Sequence, residues 1–496
     1  MNGSRIRNSS LAVAVALATC GGEPPDIPPT SVVPSAEQLR YQEMELAGFV
    51  HFSVNTFTDR EWGFGDESPE VFRPSDLDAD QWARIAAEVG MGELILTAKH
   101  HDGFCLWPSR TTSHSVARSG WQSGEGDVVA EFVGATQRHG LKAGLYLSPW
   151  DRNHADYGAP AYLEVYRDQL RELLTGYGEI AEIWVDGANG GTGYYGGANE
   201  ERRIDRKSYY HWDETMALVK SLQPSTLIFS DAGPDIRWIG NERGFAGETN
   251  WSTINTDQVV IGEAVPAYLN SGDPEGAEWV VPLCNTSIRP GWFYHTGEDS
   301  EVKSPQELVD LYYRSVGRNC VLLLNVPPDR RGRFHEADIE ALREFRNILD
   351  ETFALDLAVS ARVKADSWRL GHRKFAPKNL VDRDPETYWA AVDGVTGATL
   401  DLALAEEAEF DRIVLREPVR FGQRISAFSV EAWVDGSWTP LARGTTVGFK
   451  RLLRIPVVRT DRIRVVIEDA LSTPALSTLG LFKASPGEGP SLGEQS

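Results

Sequence analysis

The sequence predicts an α/β protein: a (β/α)8 barrel of the TIM-like kind, followed by an all-β sandwich. Two patterns predict it. Between about residues 40 and 350, short apolar runs ending in polar or aromatic residues alternate with amphipathic stretches of helical period, as parallel strands buried on both faces and separated by helices require. Beyond residue 356 the helical periods stop and short strands with two-residue alternation replace them.

Taken in order, residues 1–20 carry Arg5, Arg7, an apolar run from Leu11 to Ala18, and Leu17-Ala18-Thr19-Cys20. This is the layout of a secretory signal ending in a lipobox-like Cys, and it is too short to span a bilayer as a helix. The expectation is an extracytoplasmic bacterial lipoprotein, periplasmic or at the cell surface, touching membrane only through a lipid anchor on Cys20. Residues 21–38 are rich in proline and read as an extended tether.

The barrel is expected over 39–355. Its strands read at Gly48–Phe52, Glu93–Lys99, Ala143–Ser148, Glu182–Asp186, Thr226–Asp231, Glu278–Pro282 and Cys320–Asn325, with a weaker eighth near 243–249. Helical patterns lie at 79–89, 127–139, 160–176, 211–222 and 305–316. Eight such strands suit a closed barrel better than an open doubly wound sheet, and no GxGxxG or Walker motif opens a helix. Residues 356–484 contain the runs Arg412–Leu415, Phe428–Val434 and Ile463–Ile467, with Asp435-Gly436 placed as a hairpin turn. Residues 485–496, rich in Gly, Pro and Ser, read as a flexible tail.

Composition narrows the partner. Lys and Arg number 49 against 72 Asp and Glu, a net charge of −23. That surplus repels phosphate backbones, which excludes nucleic acid as a first choice. A neutral ligand meets no such field, and 15 Trp, 15 Tyr and 19 Phe supply the ring faces against which a sugar packs. The four Cys (Cys20, Cys105, Cys284, Cys320) are widely spaced with no CxxC. They suggest neither a zinc cage nor a disulfide framework, and the last three read as buried small hydrophobes.

In a barrel of this kind, chemistry sits at the C-terminal ends of the strands. Those ends carry His51, His100-His101-Asp102, Ser148-Pro149-Trp150-Asp151, Asp186 and Asp231, with Glu242 in the loop beyond. Histidines, carboxylates and indoles together suit a glycosidase, in which a nucleophile and a proton donor lie about 5 Å apart when configuration is retained. Each has a plainer role to weigh. Asp186 before Gly187 could be a turn residue, although an unpaired carboxylate ending an apolar barrel strand costs on the order of several kcal/mol. Neighbouring residues on a strand point to opposite faces, so His100 and His101 reach one metal ion only if the strand has ended, and no catalytic metal is expected. One of the two remains open as a structural histidine. Asp231 and Asp235 serve equally well to shape the loop around Gly233-Pro234.

The blocks His51-Phe52-Ser53-Val54-Asn55-Thr56-Phe57, Lys99-His100-His101-Asp102-Gly103-Phe104, Trp107-Pro108-Ser109, Leu147-Ser148-Pro149-Trp150-Asp151 and Trp184-Val185-Asp186-Gly187 together resemble glycoside hydrolase family 29, the retaining α-L-fucosidases. The resemblance runs through nearly the whole barrel region. It implies hydrolysis of fucosylated oligosaccharides or glycoconjugates without a catalytic cofactor. By position it implies Asp186 as nucleophile, with Trp184 beside it, and His51, His100 and His101 on the fucose hydroxyls. Tyr146 and Glu61 are weaker carry-overs. The segment Gly233–Glu242 and the run Arg289–His295 look like the branch of the family preferring α-1,3/1,4 linkages. There the acid/base aligns with Glu242, with Glu248 as runner-up. A glycosidase of the same fold acting on another sugar, and a non-catalytic glycan-binding surface lipoprotein, are the rival readings.

The run Asn379-Leu380-Val381-Asp382-Arg383-Asp384-Pro385-Glu386-Thr387-Tyr388-Trp389 is similar to the early signature of discoidin-like sandwiches and of carbohydrate-binding modules of that fold. That resemblance implies a structural calcium in this loop as one option, and either sugar binding or simple buttressing of the barrel as the module's role.

Overall fold

A computed structural model of the chain describes residues 23–263 and 265–489. Eight strands close into a barrel: β1 (Leu46–Val50), β2 (Glu93–Lys99), β3 (Lys142–Leu147), β4 (Glu182–Trp184), β5 (Leu227–Ser230), β6 (Ile236–Trp238), β7 (Val281–Ser287) and β8 (Val321–Asn325). Every neighbouring pair is parallel, and β8 closes the ring on β1 with Leu46 opposite Leu322. Helices flank the barrel where period predicts them, and their starts are written locally. Asp78 and Asp127 accept from Gln81 and Ala130 backbone N–H groups, and Ser304 with Glu307 forms a capping box ahead of Pro305.

The expected eighth strand near 243–249 is not one: that segment is loop, and the eighth barrel strand is β6. Residues 231–235 lead from β5 straight into β6. At its centre Arg237 is buried and donates to the carbonyls of Leu269, Val280 and Trp251 and to Asn250. A three-residue strand with a buried guanidinium carries no apolar run to read. The strand expected at Glu278–Pro282 is likewise displaced. Glu278–Trp279 pairs antiparallel with Thr253–Ile254 outside the barrel, and the barrel strand begins at Val281.

The reading of Cys284 and Cys320 as separate hydrophobes is corrected too. They form a disulfide. The barrel pairs β7 with β8, Cys284 lying opposite Leu322, so a separation of 36 residues collapses to one strand spacing. Cys105 is free and buried.

The C-terminal module is an antiparallel sheet arrangement around its own apolar core, including Leu400, Phe410, Phe428, Val465 and Leu481. Two long strands, Ala398–Arg416 and Arg451–Ala470, pair along both halves with irregularities between Ala403 and Ala408. One half takes Arg362–Ala365 as its neighbour and the other takes Thr478–Phe482, which gives the sandwich.

Both ends of the described chain are docked onto this module. Ile27 is buried with Phe375, Tyr388, Ala390 and Ala475, while Arg369, Lys374 and Arg424 donate to backbone carbonyls of residues 24–28. A helix, Ala36–Met44, begins inside the expected tether. The start of the expected tail is also held: Glu488 is buried against Arg412, at 2.7 Å, and Arg454, at 3.2 Å.

In the calcium loop, Asp382 accepts from the Asp384 N–H and the Thr387 hydroxyl, and Asp384 from the Glu386 N–H. Among the described residues no group of three or more His, Cys, Asp or Glu is placed to hold a metal ion.

Candidate active site

A cavity of about 730 Å3 opens at the C-terminal ends of the barrel strands. It is lined by His51, Glu61, His100, His101, Tyr146, Trp184, Asp186 and Glu242, together with Trp62, Asp231, Trp238, Asn285, Trp292 and His295. Glu248 is elsewhere: its carboxylate pairs with Arg318 and Arg451 near the sandwich.

Asp186 follows β4 and is held by both oxygens. Tyr146, from β3, donates to Oδ2 at 3.0 Å, and the Ala188 N–H donates to Oδ1 at 2.7 Å. The Nε2 atom of His101 stands 3.9 Å from Oδ2. The two hydrogen bonds fix the carboxylate plane. Behind it Trp184 stacks on Phe229, with ring centroids 3.9 Å apart, so the floor of the cavity is apolar.

The histidines are neutral acceptors, and their tautomers follow from their partners. Ser148 gives its single hydroxyl hydrogen to the Trp150 carbonyl at 2.8 Å, so at 2.7 Å it accepts from Nδ1–H of His101. Nε2 of His101 is left bare. Asn325 spends its amide hydrogens on Ser287 and the Trp292 carbonyl, so its oxygen accepts from Nδ1–H of His51 at 2.8 Å. Nε2 of His51 is bare as well. Burial drives His51 down to about 3 and His101 to about 4, and it lowers His100 well below the ordinary imidazole range. Bare imidazole nitrogens accept hydrogen bonds from hydroxyls.

Burial and the Asp186 charge raise the Glu242 carboxyl above the ordinary range, against a hydrogen bond from Trp292. Glu61 is raised by burial while pairing with His295 at 3.1 Å. His295 also meets Asp59 at 3.0 Å and is raised in turn. A carboxylate held by two hydrogen bonds and a second carboxyl raised above the ordinary range thus share one cavity.

Sequence reasoning missed Asn325, Trp238 and Asn285. Asn325 orients His51, and Asn285 accepts from the Trp238 indole N–H at 2.9 Å. Asn325 does end an apolar run, which was a usable signal. Trp238 and Asn285 belong to the two strands whose positions the pattern misplaced.

Comparison with known proteins decides the family. The family model "Alpha-L-fucosidase" matches residues 30–351, and "F5/8 type C domain" matches 361–477. The chain belongs to the α-L-fucosidase family. A rice protein provisionally named α-L-fucosidase 1 is 46% identical over 94% of this chain and 88% of its own length, and Arabidopsis thaliana α-L-fucosidase 1 is 45% identical over 92% and 88%. The solved structure of a Ruminococcus gnavus GH29 fucosidase in complex with fucose is 34% identical, with a TM-score of 0.84, over 94% of this chain and 98% of that one. This fucosidase is thus a glycoside hydrolase with a barrel and a discoidin-like sandwich.

The expected placement as a bacterial surface lipoprotein does not hold. The rice and Arabidopsis proteins align along most of their length and point away from that setting. The lipobox reading rested on four residues after an apolar run, a pattern that an ordinary leader shares, and residues 1–22, with Cys20, lie outside the described residues.

Proposed function

We propose that this α-L-fucosidase is exo-acting and retaining, and releases terminal α-1,3- or α-1,4-linked L-fucose by double displacement, with Asp186 as nucleophile and Glu242 as acid/base. The supporting observation is the pairing, in one cavity, of a clamped carboxylate at a strand end with a carboxyl raised above the ordinary range by burial and by that carboxylate's charge. Asp186 attacks the anomeric carbon while Glu242 protonates the departing sugar oxygen. Once Asp186 is esterified, the charge that raised Glu242 is gone. Glu242 then becomes the stronger acid, so its carboxylate is available to take a proton from water. The bare nitrogens of His51 and His101 accept from fucose hydroxyls, and the Trp184 face suits the apolar C6 methyl.

A second cavity of about 820 Å3 shares Glu242, Pro290 and Trp292 with the first. Room on the far side of the proton donor favours a leaving group larger than one sugar, which supports the branched α-1,3/1,4 reading. The test is hydrolysis of fucosyl-α-1,2, α-1,3, α-1,4 and α-1,6 oligosaccharides, with Asp186→Ala as control. Activity confined to the α-1,2 or α-1,6 substrates refutes the linkage, and an active Asp186→Ala refutes the nucleophile.

A further inference from the structure

Asp231 follows β5, beside the strand that Asp186 follows, and lines the same cavity. Its carboxylate is wedged between two backbones. The Gly262 N–H donates to Oδ2 at 2.8 Å, and Gly187, the residue after the nucleophile, lies so close that a methyl group on it would stand 2.1 Å from Oδ2. Gly262 itself has a φ of +85°, and a methyl there would stand 2.5 Å from the Gly187 carbonyl oxygen. Arg206 donates to the Gly262 carbonyl at 2.5 Å and tightens the same turn. Two glycines thus admit one carboxylate where the nucleophile's loop meets the 262 turn.

We propose that Asp231 is a positioning residue: it locks the 186–188 loop against the Gly262 turn and, when ionised, adds a second negative charge beside the nucleophile where positive charge develops on the sugar. This rests on the reading of Asp186 as nucleophile. The charged groups around Asp231 are Asp186 from β4 and Arg206 from the excursion after it, with Glu242 in the same cavity. Burial raises the Asp231 carboxyl to about 6, Asp186 adding to the rise while the Gly262 hydrogen bond and Arg206 oppose it. The second charge is therefore present at neutral pH and lost in mild acid. Close to the anomeric centre, such a charge favours an oxocarbenium-like transition state.

The experiment measures kcat and KM from pH 4 to 9 on an aryl α-L-fucoside for the full chain and for Asp231→Asn and Asp231→Glu. Asp231→Asn keeps an oxygen for the Gly262 N–H. It should lose the rise in kcat through about pH 6 and fall roughly tenfold in kcat at pH 7, with KM nearly unchanged. Asp231→Glu keeps the charge and should keep the rise at reduced kcat. A wild-type-shaped profile in Asp231→Asn overturns the proposal, and should that variant not fold, a profile without the rise in Asp231→Glu does so. A wild-type enzyme inert on the fucoside, or active after Asp186→Ala, instead overturns the underlying reading.

Discussion

Tyr146 donates its phenolic hydrogen to Oδ2 of Asp186 over 3.0 Å, so the oxygen nearest His101 is held by a residue from the neighbouring strand. A hydrogen bond to a charged acceptor contributes about 1.5–3 kcal/mol. Tyr146→Phe keeps the buried ring and deletes only the hydroxyl. The expected result is a kcat lower by roughly 10- to 100-fold, with the thermal unfolding midpoint little changed, measured on an aryl α-L-fucoside. Unchanged kcat would show that the Ala188 N–H alone suffices to orient the Asp186 carboxylate.

The two candidate acids separate by what they touch. Glu242 lines the cavity, whereas Glu248 pairs with Arg318 and with Arg451, which is buried. Glu242→Ala should cost about 10²–10⁴-fold with natural glycan substrates, recover with azide on an activated aryl fucoside, and leave stability alone. Glu248→Ala should keep kcat and lose about 1–3 kcal/mol of stability by stranding Arg451. Azide rescue of Glu248→Ala, and not of Glu242→Ala, would reverse the assignment.

Acid and alkaline limbs of activity should have different owners. Glu242 is raised by burial and by Asp186, so its protonated, donating form persists to higher pH than that of an ordinary Glu and is lost as pH climbs through its raised value. The buried His51 and His101, at about 3 and about 4, stay neutral throughout that range. The expected outcome is an alkaline limb in kcat/KM that disappears in Glu242→Gln among the residual activities on an activated aryl fucoside. Affinity for free L-fucose, followed by calorimetry, should stay flat from pH 5 to 8. A fucose affinity that falls near pH 6 in the wild type and equally in Asp231→Asn would mean that one of the histidines titrates there.

The sequence showed the strand ends well because a polar residue closing an apolar run is a local signal, as at His51, His100 and Asp186. It showed β6 poorly because Arg237 sits mid-strand and is satisfied by carbonyls 13 to 43 residues away. No local period reports such distant acceptors. The Cys284–Cys320 bridge and the Asn325–His51 pair are products of barrel closure, where register brings remote positions to neighbouring strands. The motif blocks supplied the chemistry of the cavity, while its supporting hydrogen bonds became visible only once the barrel was closed.

The C-terminus provides a test of how the two domains hold each other. Glu488 follows a stretch of Gly, Pro and Ser that reads as unstructured, yet it is buried and accepts from Arg412 at 2.7 Å and from Arg454 at 3.2 Å, both on sandwich strands. Tyr313 and Thr352, on barrel helices, contact it at 3.5 Å. Arg412 is itself buried, so removing the carboxylate leaves a guanidinium short of its counter-charge, at a cost of about 3 kcal/mol. Glu488→Ala should therefore lower the thermal unfolding midpoint with kcat on an aryl α-L-fucoside unchanged. Glu488→Gln keeps an acceptor for Arg412 and should recover part of the loss. A midpoint equal to wild type in Glu488→Ala would show that Asp411, 3.5 Å from Arg412, suffices for the pair and that the tail contributes nothing to the domain contact.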